Sequence, residues 1–480
     1  MRRSWIILTV LTFSFIACTQ QRAPVAADEK VATVERSTLD KLPNIGTRKK
    51  GVDWKVFLGP TGDSKSPEKG LVLPWPKTGP KIVWETKLGI SYGIGSVASG
   101  RLYQFDRFDK RRGDPGVARL RCLNAETGKK IWHFEYKTDY ADYYGYNGGP
   151  RCSPIVDGNR VYIYGVGGWL HCLRATDGKL VWKVDTKSKF GVVQNFFGVG
   201  SNPVIDGNLL IVMVGGSPKE DQTIGAAGLD RVTANGTAVV AFDKYTGKVK
   251  YKIAKDLASY ASLKLATIKN RRWCFAFCRA GLIGFEPQSG KIDFQYPWRA
   301  PMLESVNASM PVVVKDEVFI SECYRIGASL LKVQPGKHSV VWKDDRRKRE
   351  KAMKTHWNTP IYINGYLYGC SGRNPPDADL RCIEWKTGKV MWKVHNQSRS
   401  SLLYVDGHLI FLGEYGKLAV IKPNPKKLEV VSECVIPEDP KATEVRSKLK
   451  APCWAAPIIS HGLLYVRGRD RLICMEVMKK

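Results

Sequence analysis

Cysteines, histidines and tyrosines are the residues of this chain whose types and spacing could do chemistry. Of the 12 cysteines among 480 residues, Cys18 lies near the N-terminus and the others are spread through the body. A thiol can be lipidated, oxidised or used as a metal ligand, according to its neighbours. Cys122, Cys172, Cys382 and Cys474 share one local pattern, Leu-x-Cys followed by Leu, Ile or Met. Elsewhere the same slot holds Ala241, Gly284 or Ala419, so these cysteines read as small apolar packing residues, each too far from its equivalents to pair. Cys274 and Cys278 share a strand face about 13 Å apart in extended chain and cannot bond to each other. Without Cys18 the number is odd, so at least one thiol has no disulfide partner in the chain. His133, His171, His338, His356, His395, His408 and His461 show no metal-ligand spacing. Neither a calcium loop nor a phosphate-cradling Gly-x-x-x-x-Gly-Lys-Ser/Thr occurs. No catalytic residue and no metal site is assigned.

Other residues suit binding. Arg151, Asn202, Asn307, His356, Trp357, Asn358 and Trp454 stand shortly before a proline that opens a short strand. Arg399 has the matching place before Leu402. Polar side chains with flat rings suit a sugar, a quinone or a peptide. Tyr140, Tyr143, Tyr144 and Tyr146 interleave with Asp139 and Asp142 in a loop. Exposed, such rings form a contact surface; folded inward, they cover the top face.

The elements that position these residues recur. Ser153-Pro154-Ile155-Val156-Asp157-Gly158-Asn159-Arg160-Val161-Tyr162-Ile163 reads as strand, tight turn and strand, because Asp-Gly supplies the positive φ a two-residue hairpin needs. Counterparts turn at Ser99-Gly100, Asp206-Gly207, Asn364-Gly365, Asp406-Gly407 and His461-Gly462, with degenerate ones at Lys269-Asn270 and Asp316-Glu317. A second signal follows most of them: a glycine, then an aromatic four residues later. The pairs are Gly128 with Trp132, Gly178 with Trp182, Gly247 with Tyr251, Gly290 with Phe294 and Gly388 with Trp392. In Gly336 with Trp342 the loop is two residues longer. Each unit therefore predicts four short antiparallel strands, with the aromatic as a wedge between units. Eight such units predict an all-β, eight-bladed β-propeller. The last unit lacks its outer strand, and Lys81-Ile82-Val83-Trp84-Glu85 has that strand's pattern, so it is expected to close the ring. The binding candidates then surround a central funnel. The seventh unit, around Pro423-Asn424-Pro425, has lost both glycine and aromatic.

The composition excludes disorder, collagen and a multi-pass membrane protein: 43% of residues are hydrophobic, and no long apolar run follows the N-terminus. Arg2 and Arg3, a short apolar run to Ala17 and a small residue before Cys18 predict an export signal over 1–17. The polar stretch 18–50 reads as a tether, and 51–480 as one propeller domain. The formal charge of +31 predicts attraction to anionic surfaces, or charge spread evenly for solubility. Its densest run, Arg346-Arg347-Lys348-Arg349 with Lys351, falls in a loop. No nucleic-acid-binding signature accompanies it, so no specific nucleic-acid partner is expected.

Phe15-Ile16-Ala17-Cys18 resembles a bacterial lipobox, which implies lipidation of Cys18 and a membrane anchor. Phe15 stands where that pattern usually has Leu, and Thr19 after the cysteine implies the outer membrane. The Ala-x-Thr-Gly-x-x-x-Trp unit beside the Ser-Pro-…-Asp-Gly hairpin resembles the pyrroloquinoline-quinone-type propeller repeat. The resemblance covers about residues 54–480, and the opening Asp53-Trp54-Lys55-Val56-Phe57-Leu58-Gly59-Pro60 is similar to the entry segment of secreted members. The superfamily includes quinoprotein alcohol dehydrogenases and the propeller lipoprotein of outer-membrane β-barrel assembly. The dehydrogenases typically carry adjacent cysteines over the quinone, a calcium site and a catalytic Asp, and this chain has no Cys-Cys pair. The leading expectation is a non-catalytic, periplasm-facing binding or scaffold protein with an envelope protein or glycan as partner. The alternatives are a pyrroloquinoline quinone- and Ca²⁺-dependent dehydrogenase, and binding of an acidic glycan or other polyanion.

Overall fold

The computed structural model describes residues 41–108, 115–374, 376–439 and 446–479. Cys18, the expected export signal and the expected tether up to residue 40 lie outside them. The compact unit is Leu42–Lys480. Eight antiparallel sheets follow one another along it as the blades of a propeller. They span 96–138, 155–185, 204–253, 264–297, 312–343, 361–395, 400–435 and 458–476, the last completed by Ile82–Lys87. Ile82–Lys87 pairs antiparallel with Arg471–Glu476, so a strand from the start of the chain closes the eighth blade. Among the described residues no helix is long and apolar enough to cross a membrane.

The hairpins form where turn residues relieve the backbone. Both loop residues have positive φ at Ser99-Gly100, Lys269-Asn270, Asn364-Gly365, Asp406-Gly407 and His461-Gly462, as a type I′ turn requires. Two predicted Asp-Gly turns shift by one residue. Asp157 pairs with Arg160 and Asp206 with Leu209, so the loops are Gly158-Asn159 and Gly207-Asn208. In the fifth blade Val314 pairs with Glu317, which makes the loop Lys315-Asp316 rather than Asp316-Glu317, with Lys315 in the positive-φ place.

The second motif staples blade to blade. The indole N–H of Trp84 donates to the Ala125 carbonyl (2.9 Å), Trp132 to Ala175 (3.1 Å), Trp182 to Lys244 (3.0 Å), Trp342 to Trp385 (2.8 Å) and Trp392 to Asn424 (2.8 Å). Each acceptor lies on the following blade. The Tyr251 hydroxyl does the same to the Pro287 carbonyl at 2.6 Å. The motif glycine of the next blade then lies flat on the ring: a Cβ on Gly178 would stand 2.5 Å from Trp132, and one on Gly128 2.7 Å from Trp84. The small-residue slot faces the same ring from its own blade. Cys122 pairs with Trp132, Cys172 with Trp182, Cys382 with Trp392 and Cys474 with Trp84. A larger side chain there would displace the wedge, which is why Cys, Ala and Gly share the slot. All eleven cysteines from Cys122 to Cys474 are buried with no disulfide among them, and burial pushes the Cys122 thiol up to about 12.

Two junctions depart from the pattern. Phe294 makes no such hydrogen bond, and Trp298 donates instead to the Gly327 carbonyl at 3.2 Å. In the seventh blade Glu433 stands opposite Ala419, where other blades carry the ring. The entry segment compensates: buried Trp75 joins Cys434 and Ile436 in one apolar cluster, and its backbone N–H donates to Ser432 Oγ.

That entry segment is part of the fold from its first described residues. Leu42 is buried, Arg101 donates to the Pro43 carbonyl, and Arg48 pairs with Glu126. Residues 42–50, which composition placed in a tether, therefore belong to the folded unit. Residues 54–71 then cross the ring's centre. Trp54 bridges to Val97 of the first blade, and Lys264 Nζ of the fourth donates to the carbonyls of Thr61 and Gly62 at 3.0 and 2.5 Å. Lys65–Ser66 pairs parallel with Tyr404–Val405 of the seventh. Burial lowers the Lys264 ammonium to about 8, and the two carbonyls satisfy it.

Gly178 and Gly336 have nearly equal φ of 74° and 76°, but a Cβ on Gly336 would meet nothing within 4 Å. Gly336→Ala is expected to cost about 1 kcal/mol of stability from the left-handed backbone alone. Gly178→Ala should cost a further ~1–3 kcal/mol, because it pushes Trp132 out of its seat. Urea denaturation of the two variants checks this, and equal losses would refute the staple.

Candidate functional site

The hairpin loops lie at one end of the innermost strands; at the other end one register position builds the site. Seven residues before the first loop residue of the eight hairpins stand Tyr92, Arg151, Gly200, Ser262, Ala308, Trp357, Arg399 and Trp454. All but Arg399 line one cavity of about 180 Å³ on the propeller axis. Phe57 and Leu58 of the entry segment form its floor.

Of the sequence-predicted funnel residues, the structure brings Arg151, Asn202, His356, Trp357, Asn358 and Trp454 together in this lining. Asn307 is not among them. Its side chain turns inward and donates to the carbonyls of Cys278 (2.7 Å) and Trp298 (3.1 Å), tying the fourth blade to its exit loop. Arg399 stands behind the wall: it pairs with Glu414 and lies 5.0 and 4.7 Å from the ring centres of Trp357 and Trp454. Tyr92 and Tyr260 were not singled out from the sequence. Tyr92 was within reach of repeat alignment, since it occupies the same register as Trp454.

The lining is dominated by rings that touch in sequence. His356 and Trp357 lie 4.5 Å apart between centres, Trp357 and Trp454 4.6 Å, and Tyr92 and Trp454 4.9 Å. Tyr146 reaches in from the tyrosine loop to Trp454 (5.9 Å) and Phe197 (5.4 Å), and Phe197 continues the belt to Tyr260 at 5.4 Å. The tyrosine strip thus folds over the funnel. Tyr143, Tyr144 and Tyr146 stay exposed, but Tyr140 is buried at 5% accessibility, contrary to its reading as a contact residue. Its ring packs under the Arg151 guanidinium, and its hydroxyl donates to Asp142.

Two buried ion pairs hold the frame. Arg151 donates to Asp142 at 2.8 Å, and Glu414 takes both the Arg399 fork and the Trp454 indole N–H. Neighbouring charge and burial also set the protonation of His356. Burial first, then Arg399 and Arg373, lower it to about 3, so the ring is neutral at any physiological pH. Its Nδ1 has no hydrogen-bond partner among the described residues, and Nε2 is 3.5 Å from the Tyr324 hydroxyl.

Among the described residues no aspartate or glutamate lines the cavity. The side-chain oxygens are the amides of Asn202 and Asn358 and six hydroxyls, from Ser262, Thr359, Ser401, Tyr92, Tyr146 and Tyr260. Asn202 Oδ1 already accepts from the Ser153 N–H. A calcium ion takes six to eight oxygen ligands, carboxylates prominent among them. This donor set does not fit one, and no group of three or more His, Cys, Asp or Glu among the described residues is placed to hold a metal.

The sequence model of the family described as outer membrane protein assembly factor BamB matches residues 116–394, more than half of the chain. The chain belongs to this family. No curated protein matches the sequence of this BamB-family propeller. Among solved structures it is similar to quinohemoprotein alcohol dehydrogenase from Comamonas testosteroni, at 12% identity and a TM-score of 0.60, over 89% of this chain and 81% of that one. It is also similar to BamB from Moraxella catarrhalis, at 12% identity and a TM-score of 0.48, over 82% of this chain and 96% of that one. At such identity the likeness is one of fold: the BamB-family repeat and the dehydrogenase share the propeller.

A histidine whose folded pKa is depressed refuses a proton that the unfolded chain accepts below pH ~6.5. His356 (about 3) and His171 (about 4, through burial and then Lys183) therefore contribute stability that is present above pH ~6.5 and lost as pH falls toward those values. Stability should fall between pH 6.5 and 4 by roughly 1 kcal/mol per pH unit per histidine at most. His356→Gln should flatten that slope, and an unchanged slope in chemical denaturation would show that His356 is not the group involved. Arg399→Ala should cost about 3 kcal/mol, because it strands the Glu414 carboxylate in a buried site.

Proposed function

We propose that this chain is an exported, periplasm-facing propeller, anchored through a lipid on Cys18, that binds an extended segment of an envelope protein in its central funnel without catalysis. One observation carries the reading: the funnel is a belt of aromatic rings in which the adjacent carboxylates, Asp142 and Glu414, are each spent on an arginine. Such a lining has binding area and directional polar groups, and it offers no carboxylate to act as an acid or to hold a metal. A peptide side chain, aromatic or prolyl, would stack on Trp357 and Trp454, and the neutral Nδ1 of His356 would accept a hydrogen bond from its backbone. The exposed Tyr143 and Tyr144 extend the surface outward. Membership of the BamB family supports an envelope partner. The rings would also stack on a flat quinone, and the dehydrogenase reading rests on that and on the shared fold. The donor set speaks against the calcium ion that reading needs.

Titration of the purified protein with pyrroloquinoline quinone and Ca²⁺ separates the two. No saturable quinone binding and no dye reduction are expected; both together would overturn the binding-only reading. A photo-crosslinker at Tyr143 should yield a discrete envelope-protein adduct, lost in Trp357→Ala/Trp454→Ala. Loss of the propeller fold is excluded by an unchanged circular-dichroism spectrum.

A further inference from the structure

The charge run Arg346-Arg347-Lys348-Arg349 is not a diffuse solubility device. The loop that carries it forms one wall of a groove of about 560 Å³, and Arg325 and Arg373, from two other loops, face it. All six cations are exposed, and none makes an ion pair among the described residues. Several arginines elsewhere are paired: Arg119 and Arg121 with Asp106, Arg271 with Asp293, Arg279 with Asp230, Arg381 with Asp379. The one carboxylate in the groove, Asp377, is taken by Lys354 at 3.0 Å. Asp344 and Asp345 at the loop's root are committed to backbone N–H groups of Ala328, Ala352 and Arg347.

Two features hold the cations in place. Arg373 lies 4.7 Å from the centre of the Tyr324 ring. Arg325 holds a left-handed backbone, φ 82°, a conformation that non-glycine residues adopt at an energetic cost and that collects at ligand-binding sites. Like charges gathered without counter-charge repel one another, and an anion in the groove removes that repulsion. Five of the six are arginines, whose planar forks bind phosphate oxygens in pairs. We propose that this groove binds a multiply phosphorylated ligand, two or more phosphate groups bridging the 346–349 loop to Arg325 and Arg373. A phosphorylated lipid headgroup and a soluble phosphorylated molecule share this chemistry. The groove and the aromatic funnel share no lining residue, so binding at either can fail without the other.

The test is calorimetric titration of the full chain with inorganic tripolyphosphate at about 0.15 M salt, where charges farther apart than about 8 Å are screened. Saturable binding is expected, weakened at least ~10-fold by Arg346→Ala/Arg347→Ala/Arg349→Ala with an unchanged melting temperature. A control, Lys129→Ala/Lys130→Ala/Lys137→Ala, removes the same charge from the first blade and should leave affinity unchanged. Equal weakening by both triples, absence of saturable binding, or equally tight binding of poly-glutamate or duplex DNA would overturn the proposal. Vesicles that carry a bisphosphorylated glycolipid assign the source. Their capture by the wild type but not by the loop variant points to a lipid headgroup; tripolyphosphate binding without vesicle capture points to a soluble ligand.

Discussion

The seating of a tryptophan edge-on against the next blade is the interaction on which the rest of the structure depends. Each seat joins three parts: a ring on an outer strand, a glycine turn that lies flat on that ring, and a carbonyl that accepts its N–H. A four-stranded blade cannot bury its apolar faces alone. Stapled to its neighbours it buries both faces, and the ring as a whole leaves few strand edges. The small residue across from each tryptophan belongs to the same unit. The buried cysteines thus answer to volume, not reactivity, and their raised thiol pKa values agree with that.

Closure has a consequence at the axis. Because the first strand of a blade, Ile82–Lys87, finishes the last blade, the chain before it is free to run across the ring. It does so, pairing beside the seventh blade and taking the Lys264 ammonium on two of its carbonyls. The channel becomes a cup with a floor of Phe57 and Leu58 and a wall to which one register position contributes from every blade but the seventh. The same segment lends Trp75 to the blade whose own ring is missing.

Carboxylates are scarce in a chain with 76 Lys and Arg against 45 Asp and Glu, and their placement divides the surface. Arg151, Arg381 and Arg399, which brace the frame, each have a carboxylate partner, and removing it would leave a poorly solvated charge at a cost of several kcal/mol. The groove beside the fifth and sixth blades has no carboxylate to spare and concentrates the excess. The densest part of the surplus is gathered there.

Much was legible without coordinates. The glycine-to-aromatic interval, the Asp-Gly and Asn-Gly turns and the unmatched Lys81–Glu85 strand determine eight blades and their closure, since turn chemistry and strand periodicity act over a few residues. Six of the eight funnel candidates line the cavity because repeat position maps onto ring position. The misplacements have one origin. Asn307 and Arg399 hold the register or its neighbour, yet their side chains found stronger partners, the Cys278 carbonyl and Glu414, that lie far off in sequence. Tyr140 was drawn under Arg151 by the same kind of contact. The crossing of the axis by residues 54–71, the aromatic belt that joins Tyr146 to Trp454 and the meeting of Arg325 with Arg346 and Arg373 were decided by tertiary structure alone. Each depends on which blades become neighbours in space, and local spacing carries no record of that.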